Sequence, residues 1–366
     1  MSGLEKSQKA GKVRVLIADD SLYMRRMLRQ MLEGHPDIEL IDEAKDGVEA
    51  VAKCIFLSPD VLVLDVEMPK LDGLSVLKDI MSKRPLPVVM FSSLTQRDSR
   101  VTLEALSMGA VDFVPKPASR DLVTGVGSEL CQKVIHASKA TLRIQEPMRR
   151  HERERAKRRK AFTGSTPISS LVVIGSSTGG PQALEQIVPG LSHDLPAAVV
   201  VCQHMPKGFT SSLAQRLDTL SPIRVREAAQ EDVLEPGLVL VAKGGYHLRL
   251  DASSCGDFES YHVYLDEGTT PVHGVRPSVD VTLFDAGPLF GARLMVVILT
   301  GMGHDGAKGA WAARKAGATV ICQDRATSVI WGMPKACYEA GATDTLVPLN
   351  KVAGKIGEFC RKYQIA

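Results

Sequence analysis

Ser177 stands at the centre of Gly175-Ser176-Ser177-Thr178-Gly179, a G-x-S-x-G string that follows the apolar run Leu171–Ile174 and continues into Gly180-Pro181. Glycines on both sides permit a sharp strand-to-helix turn with the hydroxyl exposed near a helix N-terminus. Unpaired backbone N–H groups and the helix dipole there favour an oxyanion. The chemistry this suggests is attack on an acyl carbonyl; the competing reading is a Gly/Ser loop that only binds phosphate or makes a turn. A serine nucleophile needs a base and a carboxylate to orient it. His204 ends the next apolar run, in Cys202-Gln203-His204-Met205-Pro206, and Asp305 follows the apolar run Leu294–Leu299. His304 is a competing base, but a chain neighbour is poorly placed to be oriented by Asp305. His247 and His273 fall in a region with hairpin character, and His35 and His193 in polar turns. The segment Gly301–Gly306 also spells G-x-G-x-x-G, with Asp324 after the next strand, as dinucleotide sites do. Against that reading, Asp305 would set a carboxylate where a pyrophosphate must approach, and Ser177 would be left without a role.

A second constellation lies nearer the N-terminus. Asp19 and Asp20 follow one apolar run, Asp65 another, Ser92 a third, and Lys116 comes just after a fourth. Carboxylates gathered at one sheet edge repel unless a hard divalent cation such as Mg2+ sits among them. A hydroxyl and an ammonium beside them could hold a phosphoryl group on one of the acids. Each residue alone has a plainer explanation; Asp20, for example, could cap the following helix. The combination of five positions on four strand ends is far more specific.

These residues need sheets to position them. Val13–Ala18, Ile38–Ile41, Val61–Leu64, Val88–Phe91 and Val111–Val114 read as buried parallel strands. Ser21–Leu32, Val48–Cys54, Leu74–Ser82 and Arg97–Met108 carry helical periodicity between them, which makes a doubly wound five-stranded α/β domain. A linker follows: an amphipathic stretch Ser128–Ile144, the basic run Arg149–Lys160, read as solvated chain, and a Gly/Ser/Pro-containing stretch Thr163–Pro167. The alternation resumes with strands at Leu171–Ile174, Ala197–Cys202, Leu294–Leu299 and Thr319–Cys322. Leu238–Ala242, His247–Leu250 and Tyr261–Leu265 read as antiparallel hairpin material inserted into this framework. In such sheets ligands bind outside the carboxyl ends of the strands, so Ser177, His204 and Asp305 are expected at one edge.

Composition narrows the partners. The 366 residues suit two domains, and 45 Lys and Arg against 42 Asp and Glu is too even a balance to imply nucleic acid. No apolar run approaches the roughly 18 residues of a membrane span, and the N-terminus lacks a signal-peptide core. The chain is therefore expected to be cytoplasmic and not membrane-embedded. Its cysteines number seven, with no metal-ligand spacing, and fit free thiols; Cys202 and Cys322 lie in apolar runs and read as core.

Residues 12–118 resemble the response-regulator receiver family through Asp19-Asp20, Asp65 in VLDVEMPKLDG, Ser92-Ser93 and Lys116-Pro117. The resemblance implies Asp65 as phosphoacceptor, Mg2+ held by Asp19, Asp20 and Asp65, and Ser92 and Lys116 as phosphoryl contacts. Phe113 stands where the family often has a switching aromatic, and core packing explains it equally well. Residues 168–364 resemble the catalytic domain of the chemotaxis methylesterase CheB family through IGSSTGGP, CQHMPKGFT, HGVRPSVDVTLF, ILTGMGHDGAKG and WGMPKA. That resemblance implies a Ser177–His204–Asp305 triad, with backbone N–H groups at Thr178 and Met302 as the candidate oxyanion donors. It further implies hydrolysis of methyl-esterified glutamates on chemoreceptors, with methanol released and no cofactor for the hydrolysis. It allows deamidation of receptor glutamine as well. A chemotaxis sensor histidine kinase would be the phosphodonor, and phosphorylation of Asp65 would control access to the esterase. Residues 119–167 would be the interdomain linker. Ser176 and His304 depart from the alanine and asparagine frequent in the family motifs.

Overall fold

The computed structural model describes residues 11–93, 95–117, 123–140, 168–255 and 258–363. The basic run Arg149–Lys160 and the stretch Thr163–Pro167 lie outside the described residues. Contacts divide the chain into two compact units. Residues 11–93, 108–117 and 123–140 form one; residues 95–107, 168–255 and 258–363 form the other.

The first unit is a parallel sheet of β1 (Val13–Ala18), β2 (Ile38–Ala44), β3 (Val61–Asp65), β4 (Val88–Ser92) and β5 (Asp112–Pro115), ordered β2-β1-β3-β4-β5. β3 and β4 are buried at every position, as strands covered on both faces must be. The chain leaves β1 for β2 on one side and returns to β3 on the other. The crevice between β1 and β3 is therefore a topological switch point. The expected helix Ser128–Ile144 is observed as Val123–Ala137, with Leu130, Cys131, Val134 and Ala137 buried. Residues 141–144 lie outside the described residues.

The second unit is built on a parallel sheet of seven strands. These are β6 (Ser170–Ser176), β7 (Ala197–Gln203), β8 (Arg224–Glu227), β9 (Leu238–Val241), β12 (Leu294–Ile298), β13 (Thr319–Gln323) and β14 (Thr345–Val347), ordered β14-β13-β12-β6-β7-β9-β8. Apart from it, β10 (His247–Cys255) and β11 (Phe258–Asp266) pair as an antiparallel hairpin. Leu238–Ala242 does not belong to that hairpin. β9 runs parallel to both β7 and β8, and its four residues are fully embedded in the sheet. The core is one cluster that includes Val173, Val200, Leu240, Leu248, Leu283, Val296 and Val320, so the hairpin, the sheet and the helix Val279–Phe290 share it.

β6 is the first strand of this unit and sits at the middle of the sheet, with β7 on one side and β12 on the other. The switch point thus falls where the ends of β6, β7 and β12 meet. At the end of β6 the chain turns through Gly179, whose φ is +76°, into the helix Gly180–Ile187. That conformation favours glycine, and a side chain there would also lie 2.7 Å from Val329. Pro181 in the first turn of the helix loses nothing, because the N–H it lacks has no helical partner there.

Candidate active site

Ser177 follows directly on β6, His204 on β7, and Asp305 lies in the loop after β12. The three strands are neighbours, so the expected meeting of the three residues at one sheet edge is what the fold produces. The His204 Nε2 lies 2.8 Å from Asp305 Oδ2. Asp305 is only 2% exposed, yet it is well satisfied. Oδ1 accepts from the Ser278 hydroxyl (2.8 Å) and the Asp280 N–H (3.1 Å), and Oδ2 accepts from the Val279 N–H (2.7 Å). The carboxylate thus sits on the first turn of the helix Val279–Phe290, where the dipole and unpaired N–H groups favour an anion. Burial alone would raise its pKa. The hydrogen bond and charge of His204, with the bonds from Val279 and Ser278, outweigh burial and hold the carboxyl down at about 2.

An ionised Asp305 makes Nε2 of His204 a donor. Nδ1 is then the nitrogen left with a lone pair, the reverse of the usual triad, in which the carboxylate takes Nδ1. No hydrogen bond joins the Ser177 hydroxyl to His204 among the described residues; such contacts commonly tighten only with substrate in place.

Residues outside the three hold the elbow. Gln203 is buried and accepts from the Ser176 hydroxyl at 2.6 Å. Its amide donates to the carbonyls of Ser177 (3.0 Å) and His204 (3.1 Å), so one side chain ties the nucleophile's turn to the base's strand. Gly180 leaves room for it, since a Cβ there would lie 1.9 Å from Gln203 Oε1. Thr300, also buried, accepts the Ser177 N–H on its carbonyl (3.1 Å) and donates its hydroxyl to the Thr178 carbonyl (2.9 Å). Gly301 lies against Ser177: a Cβ on it would come within 2.9 Å of Ser177 Cβ and 2.3 Å of Met333 Sδ. The next residue, Met302, has a backbone N–H with no hydrogen bond among the described residues. Gln203 was not singled out from the sequence, although its place beside His204 is a signal.

Gln203→Ala would orphan the buried Ser176 hydroxyl and the His204 carbonyl, while the Ser177 carbonyl keeps only its bond from the Gly180 N–H (2.7 Å). The expected stability cost is about 1–3 kcal/mol for each group left unsatisfied. The expected loss in kcat is up to about 100-fold, as for an ångström-scale displacement of reacting groups. Esterase kinetics decide it: KM should be nearly unchanged, and a variant that raised KM alone would remove Gln203 from this positioning role.

The other candidates separate clearly. His247 is fully buried; its Nδ1 accepts the Ser278 N–H (3.3 Å) and its Nε2 faces the Thr270 carbonyl (3.1 Å), so it braces Ser278 rather than the nucleophile. His304 is exposed and meets His273 edge-on, with ring centroids 4.3 Å apart. Cys202 is buried and its thiol is pushed up to about 12 by burial, which disfavours the thiolate that a nucleophile needs. Asp324 spends its carboxylate on the N–H of Thr327 (2.9 Å), so the dinucleotide reading loses its acid.

At the switch point of the first unit, ligand oxygens of Asp19, Asp20 and Asp65 lie within 4.8 Å of one another. Asp19 and Asp65 are buried, Asp20 exposed. Lys116 Nζ bridges Asp19 Oδ2 (3.0 Å) and Asp65 Oδ1 (2.8 Å). Burial, with the charge of Asp19, pushes the Asp65 carboxyl up to about 6 against the pull of Lys116. A crowded all-oxygen donor set of this kind fits Mg2+. Arg25, not singled out from the sequence, donates to the carbonyls of Asp19 (2.9 Å) and Asp20 (3.0 Å) and so holds the acidic turn. Ser92 is buried at the end of β4, and Phe113 is buried on β5 with Lys133 over its ring.

Comparison with known proteins places both halves of the chain in known families. The family model described as CheB methylesterase matches residues 172–356, and that of the response regulator receiver domain matches residues 15–126. A protein-glutamate methylesterase/protein-glutamine glutaminase of Symbiobacterium thermophilum is 48% identical over 355 residues, covering 94% of this chain and 96% of its own. A relative of the same name from Thermotoga maritima is 42% identical over 352 residues, covering 95% and 98%. The solved CheB methylesterase catalytic domain of Thermotoga maritima is 44% identical and covers 52% of this chain and 97% of its own, with a TM-score of 0.49.

Proposed function

From the premise that the chain belongs to the CheB methylesterase family and carries a response regulator receiver domain, we propose that Ser177, His204 and Asp305 perform its ester hydrolysis. The enzyme is a phosphorylation-regulated protein-glutamate methylesterase that removes methyl esters from chemoreceptor glutamates in chemotaxis adaptation. The observation that carries the residue assignment is the buried, ionised Asp305 bonded to His204 at the strand end beside Ser177.

Nδ1 of His204 takes the Ser177 proton as Oγ attacks the ester carbonyl, and Asp305 steadies the imidazolium that forms. The backbone N–H groups of Thr178 and Met302 are the proposed oxyanion donors. The unpaired Met302 N–H, set beside Ser177 by Gly301, supports the second of these. The imidazolium returns its proton to the departing methoxide, methanol leaves, and water activated by the same nitrogen releases glutamate. Receptor glutamine fits the same chemistry, with ammonia leaving in place of methanol. The hydrolysis as drawn calls on no cofactor.

We assign residues 12–118 to the receiver, 119–167 to the linker and 168–364 to the esterase. Asp65 is the proposed phosphoacceptor, and Asp19, Asp20 and Asp65 would hold Mg2+, which neutralises charge on the phosphoryl group when bound. Lys116 and Ser92 contact that group, and Phe113 responds to it. The partners are methylated chemoreceptors and a chemotaxis sensor histidine kinase. No helix among the described residues is long and apolar enough to cross a membrane, which suits an enzyme meeting receptor helices in the cytoplasm.

The test is methanol release from methylated receptor membranes, with and without a small phosphodonor and Mg2+. The full-length enzyme should be stimulated while Asp65→Asn stays at the basal rate, because an amide cannot accept the phosphoryl group. Equal stimulation of both would overturn the assignment of Asp65. A fragment beginning at Ile168 should exceed the basal rate without phosphodonor; one that folds but runs slower would show that the receiver assists the site rather than restraining it.

A further inference from the structure

Beside the triad lie two potential metal ligands, His273 and Asp280, that the hydrolysis leaves unused. Asp280, on the first turn of the helix Val279–Phe290, is 1% exposed. Its Oδ1 accepts the Gly309 N–H at 2.6 Å, and its Oδ2 lies 3.1 Å from His273 Nε2. Ligand atoms of His273, Asp280 and Asp305 all fall within 4.8 Å of one another. Two buried carboxylates therefore share a small volume. His273 is exposed and backed by the edge-on ring of His304, so imidazoles stand on the solvent side of this pair.

We propose that His273, Asp280 and Asp305 form an inhibitory site for a divalent transition metal such as Zn2+. Imidazole nitrogen and carboxylate oxygen are both ligands that zinc takes. Ligands about 2.0–2.1 Å from a tetrahedral ion stand roughly 3.3 Å apart, close to the spacing of His273 Nε2 and Asp280 Oδ2. The imidazole nitrogen selects against Mg2+, which keeps to the all-oxygen site formed by Asp19, Asp20 and Asp65. Binding takes place through neutral His273 and replaces its hydrogen bond to Asp280. It also draws Asp305 toward the cation and away from the Nε2–H of His204, so the base loses its orienting partner. This inhibitory consequence rests on the Ser177–His204–Asp305 reading; the binding itself does not.

The experiment uses the full-length enzyme with Mg2+ in excess to occupy the receiver carboxylates. Co2+, as a spectroscopic probe, is titrated into the wild type, Ser177→Ala, His273→Asn and Asp280→Asn. Asparagine is chosen at position 273 because φ there is +55°, a region that residue tolerates. The wild type and Ser177→Ala should show one saturable visible band. Both ligand variants should bind about tenfold or more weakly. Zn2+ should suppress methanol release by the wild type, and His273→Asn should need correspondingly more. Absence of a saturable band, or equal binding by His273→Asn and the wild type, would overturn the site. Binding that depends on His273 but leaves methanol release intact would overturn the inhibitory role. The titration of Ser177→Ala needs no turnover, so failure of the site is told apart from failure of the esterase reading.

Discussion

Ser177→Ala is expected to remove nearly all methanol release, with kcat falling by about a million-fold if the residue behaves as the nucleophile of a comparable serine hydrolase does. The size of the effect follows from the division of labour in the site. The elbow, the loop at Gly301 and the His204–Asp305 pair all stay in place, but nothing remains to form the acyl bond. The variant should fold normally, because the Ser177 backbone is held by its N–H to Thr300 and its carbonyl to Gly180 and Gln203, none of which needs the side chain. The adjacent Ser176 supplies the control. Its hydroxyl is buried and spent on a hydrogen bond to Gln203, so Ser176→Ala should cost some stability and little rate. Steady-state kinetics on methylated receptor membranes separate the two; retention of activity by Ser177→Ala with loss in Ser176→Ala would reverse the assignment.

Asp305→Asn should fold and yet lose up to about 10⁴-fold in turnover, the penalty of a triad whose imidazole is held in the wrong tautomer. The reason is local. Ser278 Oγ, Asp280 N, Val279 N and His204 Nε2 all approach Asp305 as donors, and an amide can offer only one oxygen to them. If the NH₂ faces His204, Nε2 must become the acceptor and the proton moves to Nδ1, the nitrogen that should receive the proton of Ser177. The accompanying stability loss is about 1–3 kcal/mol for a buried donor left unsatisfied. Because the three residues act as one unit, His204→Ala combined with Asp305→Asn should be hardly worse than His204→Ala alone. Fully multiplicative losses in that cycle would argue for independent roles. His304→Ala should be mild by comparison, since its ring meets His273 and not the carboxylate of Asp305.

Much of this was legible in the chain because buried parallel strands announce themselves as short apolar runs, and chemistry collects at their carboxyl ends. Ser177, His204, Asp305, Asp19 and Asp65 were all found that way. Edge strands were missed for a physical reason. β8 reads Arg-Val-Arg-Glu and β14 has only three residues, and edges are short and charged so as not to recruit further strands. Leu238–Val241 was assigned to the hairpin because a four-residue apolar run does not say whether its partner is parallel or antiparallel. The supporting residues were less legible. Ser278 and Gln203 act through partners 27 residues away in Asp305 and Ser176, and Thr300 through one 122 away in Thr178, distances no local pattern encodes. The use of Nε2 by Asp305 likewise depends on the angle at which β7 delivers the ring.

The central claim is that Ser177, activated by His204, is the group that attacks the ester. A serine-directed phosphonate forms a stable adduct only with an activated hydroxyl, so mapping its adduct by mass spectrometry tests the claim most directly. One equivalent should attach to Ser177, methanol release should fall in step with labelling, and Asp305→Asn should label far more slowly. An adduct on Ser176 or on a cysteine, or full labelling of Ser177 with methanol release undiminished, would contradict it.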